Sequence, residues 1–83
     1  MADFSQHPDP AIPGQSVRIC LINMDLVPFV GEFITIGTDG QTYSELVITE
    51  VNDVCRDFIL PPDTVGAMIN DDLGHETYKI NVQ

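Results

Sequence analysis

From Ser16 to the C-terminus, no window of ten residues repeats its apolar side chains at a 3.6-residue period between helix caps, so helix can account for one turn at most. What recurs instead are short runs of branched and aromatic residues, punctuated by Gly, Asn, Asp and Pro. That is the pattern of strands joined by tight turns. Residues 16–22 put Val17, Ile19 and Leu21 on one face. After a connection at Asn23-Met24-Asp25-Leu26, residues 27–37 form a long second strand with Gly31 in its middle, where a glycine marks a bend, a bulge or a close backbone approach. Asp39-Gly40 between two apolar runs is a hairpin-turn signal. A strand over 42–51 follows, then a turn at Asn52-Asp53 and a strand over 54–60 that stops at Pro61-Pro62. A short strand over 64–69, the polar turn Asn70-Asp71-Asp72-Leu73-Gly74 and a final run over 77–82, with Tyr78, Ile80 and Val82 facing one way, complete the chain.

The first fifteen residues read differently. Pro8, Pro10 and Pro13 forbid helix there, because each removes a backbone donor and pushes the preceding residue out of the α region. Residues 1–15 are therefore expected as an extended, proline-containing segment anchored only by Phe4 and Ile12, and residues 16–83 as one small domain. Eighty-three residues leave no room for a second domain. Five or six short strands with a long bent second strand predict an all-β fold, a small and strongly bent antiparallel barrel of the Sm, SH3 or OB kind.

Thirteen Asp and Glu against three Lys and Arg give a formal net charge of −10, which repels phosphate backbones and anionic membranes. Nucleic-acid binding is expected to be weak if it occurs at all, and a basic protein is a candidate partner. No apolar run approaches the ~18 residues of a membrane span, and Met1-Ala2-Asp3-Phe4-Ser5 has no signal-peptide character, so the expected setting is cytoplasmic, without a membrane. Cys20 and Cys55 are too few for a disulfide framework and lie in apolar runs. Buried free thiols are the first reading, with a disulfide between neighbouring strands as the alternative.

The run from residue 17 to residue 69 resembles the Sm/LSm family in outline. Its apolar first strand, the central glycine of Val30-Gly31-Glu32-Phe33, the turn at Asp39-Gly40, Leu46-Val47-Ile48 and the stretch from Phe58-Ile59-Leu60 through Val65-Gly66-Ala67-Met68-Ile69 carry the likeness. The resemblance implies the fold and assembly into a ring by strand pairing between subunits. The family's RNA-binding version has an Asn after the turn and an Arg-Gly in its second motif. Here Gln41, Thr42 or Tyr43 and Pro61-Pro62 stand in those places, so the RNA-binding residues do not carry over. The implied interface between copies is Phe58, Leu60, Val65, Ala67 and Ile69, on the reasoning that the 64–69 strand is an apolar edge without Lys or Pro.

Few residues suggest chemistry. Asp71, Asp72, His75 and Glu76 cluster near Gly74, but without the order of a calcium loop or the helical spacing of a zinc site, so a solvated acidic turn is the simpler reading. Ser44 and Cys55 have no histidine near them in sequence, and no glycine-rich phosphate loop is present. No catalytic residue, metal ligand or cofactor is expected. Arg18, Arg56 and Lys79 are the three cations, and together with Tyr43 they are the candidates for contact with a ligand or nucleic acid if folding gathers them; ion pairing with Glu32, Glu50 or Asp57 is the commoner use of such residues. Two functions emerge as expectations: a non-catalytic module that self-assembles and binds a partner, or an acidic mimic of nucleic acid that occupies a basic protein.

Overall fold

The computed structural model describes residues 2–23, 28–49 and 54–83. All of its regular elements are strands: β1 (Ala2–His7), β2 (Ser16–Asn23), β3 (Phe29–Gly37), β4 (Thr42–Thr49), β5 (Val54–Ile59), β6 (Thr64–Asp71) and β7 (Glu76–Ile80). They form two antiparallel sheets, one in the order β1-β2-β5 and the other in the order β4-β3-β6-β7. The expected connection at 24–26, the turn at Asn52-Asp53 and the ends of the strands drawn over 27–37 and 42–51 fall outside the described residues.

The fold is all-β, but the sheet does not close on itself. In place of a five- or six-stranded barrel, seven described strands stack as a two-sheet sandwich. The alternation that defines each strand explains why. On β2, Val17, Ile19 and Leu21 are buried while Arg18 and Ile22 are exposed, and on β3 the odd positions from Gly31 to Gly37 are buried. Each sheet therefore buries one face, and the two buried faces meet in a shared core. Val17, Ile19, Phe58 and Leu60 from one side pack with Phe33, Val47, Ala67, Ile69 and Ile80 from the other. The Phe33 and Phe58 rings stack across the sheets at 4.1 Å, with 6° between their planes.

Connectivity weaves between the layers. β2 and β3 are consecutive yet lie in different sheets, and their later partners, β5 beside β2 and β6 beside β3, are also consecutive and also separated. The 64–69 strand is consequently central, with β3 on one side and β7 on the other. The final strand pairs with residues 67–70 of the edge that the sequence suggested was open.

The N-terminal segment is part of this fold. β1 pairs with β2 over six residues, Ala2↔Asn23 to His7↔Arg18. Sequence pattern hides this strand because its two inward positions are Phe4 and Gln6, one apolar and one polar. After β1 the chain crosses to the other sheet. Ala11, wholly buried, donates its N–H to the Asn81 carbonyl (2.7 Å) and accepts from the Gln83 N–H (2.8 Å) beside the end of β7. Gln6 fastens this side. Its amide donates to the carbonyls of Pro8 (3.1 Å) and Asn81 (2.9 Å), and its oxygen accepts from the Tyr78 hydroxyl (3.1 Å) and the Asn81 N–H (2.8 Å). A buried carboxamide with every bond made is a stabilising, orienting contact.

Cys20 and Cys55 stand opposite each other in the β2–β5 ladder and form a disulfide, not the buried free thiols that were the first reading. Cys20 alternates with the inward Ile19 and Leu21, so both sulfurs lie on the outer face of the three-stranded sheet, and Cys55 is exposed. A directly opposed pair in an antiparallel ladder brings two Cβ atoms within disulfide reach, whereas sequence spacing alone cannot reveal the opposition.

Candidate functional site

The structure does not gather the three cations. Arg18 projects from the outer face of the three-stranded sheet and binds Asp57 through two bonds, Nε to Oδ1 at 2.8 Å and Nη2 to Oδ2 at 3.1 Å. Each partner favours the other's charged form: their side-chain hydrogen bond raises the Arg18 pKa and lowers that of Asp57. Arg56 lies opposite Ile19, on the inner-facing side of the edge strand β5. Lys79 is on β7 in the other sheet, opposite Met68. Tyr43, on β4, is 62% exposed.

Of the residues implied for an interface between copies, Phe58, Leu60, Ala67 and Ile69 are buried in the chain's own core. Val65 alone among them is exposed; it is the extra residue where the β3–β6 register shifts. The acidic turn after β6 uses its carboxylate internally. Asp71 accepts backbone N–H groups from His75 (2.8 Å) and Leu73 (3.0 Å), and the His75 bond is the larger cause of its lowered pKa. Gly74 completes the turn with a φ of 81°, a conformation that favours glycine. Among the described residues no three His, Cys, Asp or Glu side chains are grouped to hold a metal ion.

Two surfaces stand out. The first is the outer face of the four-stranded sheet. Outward positions on a half-solvated antiparallel sheet are ordinarily polar. Here Ile34 lies opposite Met68, Ile36 opposite Gly66, and Leu46 opposite Glu32, with Val30 further along β3. The Ile36 Cδ1 methyl rests 3.8 Å from where a Cβ on Gly66 would stand, so the absent side chain leaves a shallow step in an apolar stripe. Glu32 stands within this face, and Lys79 borders it on β7 without an ion pair among the described residues. Asn70, opposite Glu32, has a buried Oδ1 with no hydrogen-bond partner among the described residues.

The second surface is a groove of about 350 Å³ along the side of the sandwich where the edge strands β4 and β5 border it. Phe33 and Phe58 line it, with Tyr43 and Glu45 on the β4 wall and Asp57 and Ile59 on the β5 wall. The opposite side of the sandwich is closed by Gln6 and the Ala11 crossing. Sequence reasoning did not find this groove, since the two walls come from residues that become neighbours only through the sheet order.

Comparison with protein families, with curated proteins and with solved structures finds no match to this chain. No helix among the described residues is long and apolar enough to cross a membrane.

Proposed function

We propose that this chain is a non-catalytic interaction module that pairs with a second copy of itself through the outer face of the four-stranded sheet. The observation that carries the reading is the apolar stripe of half-buried Ile34, Ile36 and Met68 with exposed Val30 and Leu46 on the outer face of a chain whose net charge is −10. An exposed apolar patch on an otherwise charged surface is the mark of a protein contact. A second copy suits this face because it carries both signs of charge: the two-fold mate of Lys79 can meet a carboxylate such as Glu32. Three strands of eight or nine residues and the five-residue β7 span at most about 19 by 26 Å. Such a footprint lies at the small end of specific interfaces.

Light scattering coupled to size-exclusion chromatography tests this at tens of micromolar. The unmodified chain is expected at twice its 9.2 kDa mass, and Met68→Glu, folded by circular dichroism, as a monomer. A monomeric wild type would refute the reading, and so would a larger assembly that survives Met68→Glu. The ring form of self-association depended on a free 64–69 edge, and pairing through the sheet face replaces it. The Cys20–Cys55 disulfide supports an oxidising compartment as the working environment, in preference to the cytoplasm.

A further inference from the structure

The groove between β4 and β5 is independent of the sheet face and has a chemistry of its own. β4 pairs with β3 over eight consecutive residues, Phe29↔Thr49 to Ile36↔Thr42, without a register shift, whereas both other ladders of that sheet are interrupted. It contains no Pro, Lys or Arg. The Gly37 N–H donates to the Gln41 carbonyl (2.9 Å), which sets the phase of the ladder. Tyr43, Glu45 and Val47 then direct their peptide groups to β3, and Thr42, Ser44 and Leu46 direct theirs to the edge that no described strand pairs. Long, regular, unpaired edges are templates for another strand, and most proteins blunt them.

Among the described residues only Glu45 blunts this one. It lies on the inner-facing side of β4, opposite Phe33, lines the groove and makes no ion pair among the described residues. Its effect is selective. An added strand facing Glu45 with an apolar or acidic residue would strip water from the carboxylate without replacing it, which is costly, whereas Lys or Arg would pair with it. A second copy of β4 pairing antiparallel would bring two Glu45 carboxylates together and is disfavoured. Beyond Glu45, Phe33, Phe58 and Ile59 offer apolar contact to alternate side chains of the same strand.

We propose that the β4 edge binds an extended segment of a partner protein, alternating in pattern, whose groove-facing side chains are apolar except for one Lys or Arg set against Glu45. Main-chain bonds to Thr42, Ser44 and Leu46 supply affinity, and the groove supplies selectivity. The net charge of −10 speeds the encounter with such a cationic segment.

The probe is a ten-residue peptide alternating valine and threonine with lysine at one central valine position, compared with the same peptide carrying glutamate there. Binding is followed by amide chemical shifts of the 15N-labelled chain. The lysine peptide is expected to bind at least tenfold tighter, with the largest shifts at Thr42, Ser44 and Leu46, and Glu45→Lys should invert the preference. Ser44→Pro removes an edge N–H without touching the β3 ladder and should abolish binding. A peptide N-methylated along its pairing edge makes the same test without altering the protein. Equal affinity for the two peptides, undiminished binding of the N-methylated one, or shifts confined to the outer sheet face would overturn the proposal.

Discussion

Replacing Gly31 with alanine asks whether the centre of the four-stranded sheet tolerates a single added methyl. Gly31 pairs with Val47 of β4 on one side and Asp71 of β6 on the other. A Cβ built there would run into the backbone carbonyl oxygen of Asn70 and would stand 2.9 Å from the Phe29 ring. The ring has little freedom to retreat, because it is held edge-on against Phe4 at 5.5 Å. The carbonyl belongs to β6 and moves only if that strand moves. Overpacking of this kind costs about 1–3 kcal/mol, and a backbone obstacle puts it at the upper end. The lower entropy of the unfolded alanine chain returns about 0.4–1 kcal/mol. The net loss is then about 2–3 kcal/mol, a large share of the roughly 5–15 kcal/mol of a natural domain. In thermal denaturation this is a fall in Tm of roughly 10–20 °C. Gly66→Ala is the internal control: its Cβ would meet only the Ile36 Cδ1 methyl at 3.8 Å, an ordinary contact, and its Tm should stay within about 3 °C of wild type. If the two variants melt together, the close approach at Gly31 is not what constrains that position.

Three further outcomes follow from the packing. Reducing the Cys20–Cys55 bond, which closes a separation of 35 residues, should remove about 3–4 kcal/mol by the chain-entropy relation and lower the urea midpoint by roughly 2–3 M; an unchanged midpoint would mean that β2 and β5 hold their register without it. Asp57 and Asp71 have folded pKa values below the unfolded one, so the stability they contribute is present above about pH 4 and lost as pH falls through their folded values. The difference between the urea midpoints of wild type and Asp57→Asn, whose partner Arg18 stays charged throughout, should thus be constant from pH 7 to 5 and shrink below 4. Gln6→Leu strands the Tyr78 hydroxyl and the N–H of Asn81, and about 2 kcal/mol of destabilisation is expected by chemical denaturation.

The positions of six strands are legible in the residues themselves, because a two-residue period needs only local information. Val17, Ile19 and Leu21 mark β2, the Asp39-Gly40 turn, with Gly40 at φ 81°, marks the β3–β4 hairpin, and Tyr78 and Ile80 mark β7. Gly31 likewise announces a close backbone approach without naming the Asn70 carbonyl that makes it. What local pattern leaves open is which strands become neighbours. β5 lies beside β2 and β6 beside β3 through pairings far apart in sequence, and those pairings alone decide that 64–69 is central, that β4 is an edge, and that Cys20 meets Cys55. β1 was hidden for a related reason: Gln6 occupies an inward position, and a buried carboxamide is affordable only where Tyr78 and Asn81 arrive to satisfy it. The groove has the same origin, since Glu45 and Asp57 share it only after two sheets stack. The alternation of side chains makes each strand two-faced on its own, whereas the choice among possible partners is made by the burial and hydrogen bonding of the assembled sandwich, which no single segment contains.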